Sequence, residues 1–437
     1  MTSSAEEIGS WKRSHYSREV PQKQDKVVTL MGWARAIRNV GKLTFIQLAD
    51  REGTVQIIFK NPSEEISGKL ASLQRESVIA VQGTVQLNKT APGGLEIIPT
   101  ELKILNLAHT PLPLEVVTEK TPADLPTRLN SRFIDLRKPK IAAIFKIKNM
   151  VVTASREYWE KNKYIEVNTP KLISTPSESG ANVFEVKYFN KKAYLAQSPQ
   201  FYKQIMMISS FDKVYEIAPV FRAEKHHTYR HVNEYTGMDF EISFIKNLDD
   251  VITEVEKLFV YIYNYIQKNA KNELSILGKT INIPKTPFPR VTMKQAFEMI
   301  GQKGEELSSD QEKLFSAACK KKFNHDFVFL TEFPWSTRPF YHMKSGNITF
   351  STDLLCNGLE IATLAQREHR YDILIKQLKE KGMNEKGIEY YLNAFKFGVP
   401  PHGGAGLGLD RIVMKMLDLP NVREAVIFPR DPERLTP

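Results

Sequence analysis

The chain has 437 residues, 42% hydrophobic and 25% charged, a balance that supports two or three globular domains with sizeable cores. Its formal net charge of +11 points to a polyanionic partner, and its two cysteines, Cys319 and Cys356, provide neither a disulfide framework nor metal-ligand spacing. No apolar run approaches the roughly 18 residues of a membrane span, and the polar, acidic residues 1–10 do not read as a signal or transit peptide, so a cytosolic protein without membrane attachment is expected.

Residues 27–33, 43–48, 54–59, 78–87 and 95–104 carry the short β-branched and apolar runs of strands, with a short helix predicted over 64–73. Five strands with a helix after the third predict a closed Greek-key barrel of the OB type. Such barrels bind oligonucleotides by stacking bases on aromatic rings and touching their polar edges. Phe45 and Gln56 fall on neighbouring strands and are candidates to hold one base; an ordinary core position for Phe45 is equally open. Residues 108–136 contain Pro111, Pro113, Pro122 and Pro126 without a clear apolar period, which predicts a hinge. An amphipathic helix follows over 141–161, then an edge or interface strand over 164–167 that stops at Thr169-Pro170.

Residues 174–181 form a small polar loop with Glu178 as its only charge, either a lid over a site or a plain surface turn. A strand over 192–195 leads to a helix that starts after Ser198, with Pro199 first and Gln197, Gln200 and Lys203 on one face. Strands over 213–221 and 238–245 then enclose a long polar loop rich in Arg and His. A solvated loop is the bland reading of that charge run, but Arg222 and Glu224 stand at the strand mouth, where a fixed guanidinium suits phosphate oxygens. A helix is predicted over 247–270, an irregular region with helical pieces over 272–326, and strands over 327–330 and 348–355. Asp353 and Glu360 flank a turn at Cys356-Asn357-Gly358; two carboxylates so placed suit a magnesium ion bridging phosphates, with buried ion pairs as the alternative. Residues 402–411 read as a glycine-rich strand entering a helix near Asp410. No Lys-Ser or Lys-Thr follows the glycines, so this is not a Walker loop; Arg411 adds a second fixed cation.

Taken in order, these segments resemble the class II aminoacyl-tRNA synthetases of the aspartyl, asparaginyl and lysyl subgroup over nearly the whole chain. Motif 1 of that family resembles the helix from Ile141 with the strand ending at Pro170. Motif 2 resembles residues 220–241, with Phe221-Arg222-Ala223-Glu224 at its start, and motif 3 resembles Gly406-Leu407-Gly408-Leu409-Asp410-Arg411. Gln197-Ser198-Pro199-Gln200 with Tyr202-Lys203-Gln204, and the ending Leu435-Thr436-Pro437 without a large inserted domain, resemble the archaeal-type aspartyl subgroup. The resemblance implies an α+β protein. An OB-fold anticodon-binding β-barrel would occupy residues 1–107, a hinge 108–136, and a class II catalytic domain on an antiparallel sheet flanked by helices 137–437, less regular over 246–340.

The implied reaction is ATP-dependent activation of L-aspartate to aspartyl-adenylate, then transfer to the 3′ end of tRNA(Asp), with ATP and Mg2+ as cofactors. The resemblance assigns Arg222 to the α-phosphate and Arg411 to the γ-phosphate, with Glu224, Arg230, His231, Glu360 and Gly408 in the ATP site. It assigns Asp353, Glu360 and Thr363 to magnesium, and Glu178, Gln200, Lys203, Asp239, Thr363 and Arg367 to the aspartate site. Lys203 and Arg367 would take the substrate carboxylate, which needs paired cations once removed from water. Phe45, Gln56 and Glu96 would read the anticodon. Arg35 and Pro92 stand where archaeal-type members differ between strict and relaxed tRNA choice; Pro92 is of the relaxed type, so charging of tRNA(Asn) and a partner amidotransferase are expected. A homodimer through motif 1 is also implied. Ser179, Thr352 and Leu364 depart from the family pattern, and Leu364, in place of a glycine, is expected to add bulk at the amino-acid pocket. The competing readings are an asparaginyl enzyme, opposed by Lys203 and Arg367, and a paralogue acting in tRNA binding or inhibitor tolerance, opposed by Arg222, Arg411, Asp353 and Glu360.

Overall fold

The computed structural model describes residues 5–117, 123–176, 182–225 and 228–437. The chain forms two compact units, Met1–Pro139 and Lys140–Pro437.

In the first unit, β1 (Val27–Val40), β2 (Leu43–Ala49), β3 (Thr54–Lys60), β4 (Val78–Leu87) and β5 (Leu95–Asn106) close a barrel in the order β1-β2-β3-β5-β4. Alternate residues, among them Leu30, Ile46, Leu48, Ile57, Val81 and Ile97, point inward and leave no water-exposed surface. Strand β1 runs well past the predicted end. A bulge between Ala34 and Ala36 bends it, so that its first half pairs with β4 and its second with β2. Helix α1 (Glu64–Ser72) follows β3, its N-terminus capped by the Ser63 side chain, which accepts from the Ile66 N–H. The segment predicted as a hinge is folded into this unit. It holds α2 (Leu125–Asn130) and α3 (Arg132–Asp135), and Leu114, Val116 and Ile134 make a small apolar cluster too short to show a period.

The second unit contains β6 (Ile165–Glu166), β7 (Leu172–Ile173), β8 (Glu185–Tyr188), β9 (Lys191–Leu195), β10 (Lys213–Phe221), β11 (Glu234–Ser243), β12 (Arg290–Thr292), β13 (Phe327–Thr331), β14 (Lys344–Ser345), β15 (Ile348–Thr349), β16 (Ser351–Cys356), β17 (Leu359–Gln366) and β18 (His402–Gly408). Eight of them form one sheet, β12-β13-β16-β17-β18-β11-β10-β6. Its pairs are antiparallel except at the two ends, β12–β13 and β10–β6. The helices are α4 (Pro139–Lys161), α5 (Gln200–Ile205), α6 (Leu248–Asn269), α7 (Lys271–Leu277), α8 (Met293–Ile300), α9 (Ser309–Phe323), α10 (Tyr371–Glu380), α11 (Glu389–Ala394) and α12 (Leu409–Met416). The stretch predicted as irregular is thus regular in large part. Thr292 with Gln295, and Ser308 with Gln311, form capping boxes at the starts of α8 and α9. Among the described residues no helix is long and apolar enough to cross a membrane.

Period two divides the sheet residues between two faces. On one face, Trp159 of α4 stacks on Tyr215 of β10 at 4.5 Å between centroids, and a side chain at Gly403 of β18 would meet Val251 of α6 at 2.8 Å. The opposite parity carries Glu216, Asp239, Glu241, Gly404, Gly406 and Thr363, and this face forms the floor of a cleft. Glu216 ties the motif 1 turn to it. Its carboxylate accepts from Thr169 N at 2.6 Å, Thr169 Oγ1 at 2.8 Å and Lys171 Nζ at 2.9 Å. Glu216→Ala strands a buried N–H and is expected to lower the stability of the second unit by about 2–3 kcal/mol, read as a shift of its urea midpoint; an unchanged midpoint would contradict this role.

Candidate active site

The mouth of the β10–β11 hairpin is pinned by one residue. Arg222 N donates to Asn233 O at 2.9 Å, and Asn233 Nδ2 donates to Arg222 O at 2.7 Å and Glu224 O at 3.0 Å. Asn233 N in turn donates to Arg430 O at 2.7 Å. These bonds fix Arg222 just beyond the strand end, with its guanidinium carbon 5.7 Å from the Tyr235 ring centre. Further along the loop, the Thr228 hydroxyl and His231 Nδ1 are 2.7 Å apart, and Glu224 Oε2 is 3.4 Å from the same nitrogen. Burial, with Arg411, Arg230 and Arg222 nearby, pushes the His231 imidazole down to about 4, so it is neutral at pH 7. Arg411, in the first turn of α12, donates to Glu360 O at 3.0 Å and Arg230 O at 3.3 Å. Arg230 itself is held by Glu312 of α9. Burial pushes Glu312 up to about 7 against the pull of Arg230, with Glu360 and Asp353 adding to the rise.

Asp353, Glu360 and Thr363 do converge, by a device the sequence does not display. Residues three apart on a regular strand face opposite ways. Here the register slips between Leu354 and Leu355, so Asp353 pairs with Thr363 while Leu355 pairs with Glu360. The bulge turns both Glu360 and Thr363 toward the cleft, and the Thr363 hydroxyl donates to Glu360 Oε1 at 3.2 Å. The Asn357-Gly358 turn between the strands has φ of 45° and 80°, which Asn-Gly hairpin turns supply. Burial raises Asp353 to about 6; Glu360, whose side chain is partly exposed, is instead held down by Arg411 and Arg222. Asp353 Oδ1 is buried without a hydrogen-bond partner among the described residues. Two carboxylates and a hydroxyl suit magnesium, which keeps most of its coordination for water and phosphate.

At the other end of the cleft floor, Lys203 of α5 donates to Asp239 Oδ1 at 2.8 Å and Ala405 O at 3.0 Å, with Glu241 Oε2 3.6 Å away. Arg367 forks onto Glu241 at 2.9 and 3.3 Å and donates to Gly404 O at 3.3 Å. Gly404 is required here: a Cβ would lie 2.2 Å from Glu241 Oε2 and 2.1 Å from Phe240 O. Gln200 Nε2 is buried nearby without a hydrogen-bond partner among the described residues, and Gly406 and Gly408 line the cleft above. The cleft has a volume of about 880 Å³ and joins Arg367 and Asp239, the partner of Lys203, to Arg222, Arg230, Arg411 and Asp353. Glu178 lies outside the described residues, as does Ser179. Sequence reasoning missed Glu241, Glu312, Arg338 and His342, all around this cleft. Only Glu241 carried a signal, two positions from Asp239 on one strand.

Residues 124–432 match the family of class II tRNA synthetases (D, K and N), and residues 28–105 match the OB-fold nucleic acid binding domain. The chain belongs to the class II synthetases. Among relatives, the aspartate–tRNA(Asp) ligase of Pyrococcus furiosus is 45% identical, over 97% of this chain and 100% of that protein. The aspartate–tRNA(Asp/Asn) ligase of Methanococcus aeolicus is 44% identical, over 98% and 99%. Among solved structures, the asparaginyl-tRNA synthetase of Pyrococcus horikoshii with asparaginyl-adenylate superposes with a TM-score of 0.90 at 31% identity, covering 98% of this chain and 100% of that one. The aspartyl tRNA synthetase of Entamoeba histolytica gives 0.87 at 32%, covering 98% and 93%.

Two expectations drawn from the synthetase pattern need correction. Leu364 does not crowd the amino-acid pocket. It pairs with Ala405 and Thr352, on the parity of Gly403 and hence on the helix-covered face, and it is fully buried. The two departures are therefore one: a large residue replaces a glycine directly across from a small residue replacing an aromatic. In the barrel, Phe45 is half-buried rather than core, with the Arg38 guanidinium 5.8 Å from its ring centre. Gln56 Nε2 donates to Glu96 Oε2 at 3.4 Å, and Asn88 Nδ2 donates to the same oxygen at 2.9 Å. Pro92 is exposed in the loop before β5. Arg35, in contrast, is buried and donates to Glu76 Oε1 at 2.9 Å, so it does not present a free guanidinium to tRNA.

A double-mutant cycle tests the Leu364–Thr352 pair. Leu364→Gly should cost at least the roughly 2–5 kcal/mol of a buried Leu→Ala change, and Thr352→Phe about 1–3 kcal/mol by overpacking. The double variant should recover more than about 1 kcal/mol as coupling in urea unfolding, with KM for aspartate little changed throughout. Additive losses would refute the pairing.

Proposed function

We propose that this synthetase is an aspartate–tRNA ligase, activating L-aspartate with ATP and transferring it to the 3′ end of tRNA(Asp). The observation that carries the reading is the floor of the cleft, where buried Arg367 lines a cavity large enough for an aminoacyl-adenylate and buried Lys203 donates to Asp239, which lines the same cavity. Asp239 and Glu241 neutralise them in the ligand-free protein. An incoming aspartate offers its side-chain carboxylate to Lys203 and Arg367, and its ammonium group to Asp239, which exchanges a protein ion pair for two substrate pairs without burying an unpaired charge. An asparagine amide would leave Lys203 without that exchange, which argues against the asparaginyl alternative. The names of relatives at 45% and 44% identity support the same reading.

The α-carboxylate then attacks the α-phosphorus in line and pyrophosphate leaves. Arg222 neutralises charge at the α-phosphate and Arg411 at the γ-phosphate. Positioning and charge neutralisation carry most of the acceleration, because little proton transfer is needed. His231, neutral, offers a hydrogen bond rather than charge. Asp353, Glu360 and Thr363 would hold magnesium, which supplies charge neutralisation across the phosphates. The hydroxyl at the 3′ end of tRNA attacks the adenylate carbonyl in the second step, the acyl–phosphate bond breaks and AMP leaves. Phe45 stacks on an anticodon base, with Gln56 and Glu96 at its edge. Pro92 favours charging of tRNA(Asn) as well, with an amidotransferase converting that product. Motif 1 supplies a homodimer contact, for which exposed Ile165 and Leu172 offer apolar surface. A cytosolic location fits the reaction.

Two measurements test this. Pyrophosphate exchange should depend on aspartate and not on asparagine; exchange with neither, or equally with both, would sink the reading. Transcripts of tRNA(Asp) and tRNA(Asn) should both accept labelled aspartate, whereas charging of tRNA(Asp) alone would establish strict choice. Phe45→Ala should lower the rate of aminoacylation about tenfold or more, as expected from loss of base stacking, and leave exchange unchanged. Equal loss of both steps would contradict a role for Phe45 at the anticodon.

A further inference from the structure

Arg338 reaches the cleft from the segment between β13 and β14, outside all three synthetase motifs. Its Nη2 donates to Asp353 Oδ2 at 2.5 Å, with side-chain exposures of 11% and 14%. The guanidinium sits over the face of Phe333, its carbon 3.5 Å from the ring centre, a contact that does not use its N–H donors. The contact is single. Arg338 Nε and Asp353 Oδ1 are both buried without hydrogen-bond partners among the described residues, and the Thr363 hydroxyl, which faces Asp353, gives its bond to Glu360.

The same cleft contains a different kind of pair for comparison. Arg367 and Glu241 make two hydrogen bonds, and Arg367 makes a third to Gly404 O. That pair has the satisfaction expected of a permanent buried ion pair. The Arg338–Asp353 pair instead leaves one buried donor and one buried acceptor open, pointing to partners that arrive with a ligand. A divalent cation is the partner for a second carboxylate oxygen, and a phosphate oxygen is the partner for a guanidinium.

We propose that Arg338 is an exchangeable counter-ion of the magnesium site: it holds Asp353 in the nucleotide-free protein and passes to the triphosphate when metal-bound ATP enters. This rests on the ATP chemistry proposed above. It has a consequence that a purely structural arginine would not have. Arg338 competes with a bare metal ion for Asp353 and favours the metal–nucleotide complex, so its removal moves the two affinities in opposite directions.

The test uses Mn2+ as the probe, titrated into the full chain without nucleotide and followed by the paramagnetic resonance signal of the free ion. Arg338→Met should bind Mn2+ about tenfold more tightly than the parent protein, while KM for ATP in aspartate-dependent exchange rises about tenfold, the scale of one charge-assisted hydrogen bond. KM for aspartate should stay within about twofold. Arg338→Lys keeps the charge and loses the fork, and should fall between the two; it also serves if circular dichroism shows that the methionine variant is misfolded. Unchanged or weaker Mn2+ binding in the folded variants would overturn the proposal, and so would tighter Mn2+ binding with an unchanged KM for ATP. Absence of aspartate-dependent exchange in the parent protein would instead overturn the functional reading, because the Mn2+ comparison needs no substrate.

Discussion

The cleft depends on a carboxylate that water never reaches. Glu241 is fully buried, yet Arg367 and Lys203 hold it below the ordinary range of a glutamic acid against the opposing effect of burial. Without Glu241 and Asp239, two cations at the floor of an apolar sheet would be prohibitively costly to bury. With them, the floor is neutral when empty, and in the proposed exchange an entering ammonium and side-chain carboxylate, one charge of each sign, keep it so. In the proposed exchange a neutral side chain would leave a buried cation under-compensated, which is the physical basis for choosing a carboxylate.

The arrangement places demands on the neighbouring strand. A carboxylate lying flat against β18 excludes any side chain at Gly404, where a Cβ would overlap both Glu241 and the Phe240 carbonyl. The glycines of that strand therefore answer to the protein's own acids as much as to a ligand. Their helix-facing neighbours have the opposite task, since Ala405 packs beside Leu364 and Gly403 lies under Val251 of α6. One strand thus separates a polar chemistry on one side from ordinary hydrophobic packing on the other.

Elements whose signal is local were legible from residue order. The barrel strands show period two and the hairpin bearing Arg222 is marked by apolar runs around a charged loop, so both appear in the structure, with β4 and β10 at their expected bounds while β1 extends beyond its expected end and β11 starts earlier. Asp239, Arg367, Asp353, Glu360, Arg222 and Arg411 line one cleft, and Lys203 is bonded to Asp239 there. Strand ends, turns and helix faces mark Arg222, Arg411, Asp353, Glu360 and Lys203 in the sequence, whereas Asp239 and Arg367 are assigned only by resemblance to the family. Illegible features arise from contacts between distant residues. The bulge that aligns Glu360 with Thr363 is a register slip between two strands, and Glu312 and Arg338 reach the site from α9 and from a connecting segment. Leu364 was misjudged for a related reason: a glycine-to-leucine change is visible in a sequence, but which face it occupies depends on the parity of its strand.

The order of synthesis gives the sheet's connectivity a further meaning. Strand β18 (His402–Gly408) is the last of the eight to leave the ribosome, yet it lies at the centre, between β11 and β17. Until it emerges, β10–β11 on one side and β13–β16–β17 on the other each present an open edge of unpaired amide and carbonyl groups beside apolar residues. Such edges invite pairing with other chains. Nearly the whole polypeptide must therefore be held in an incomplete, association-prone form before the centre of the sheet can close. Shielding during translation, by a chaperone or by a rapid second half of synthesis, becomes a requirement set by topology rather than by any exposed patch on the finished protein.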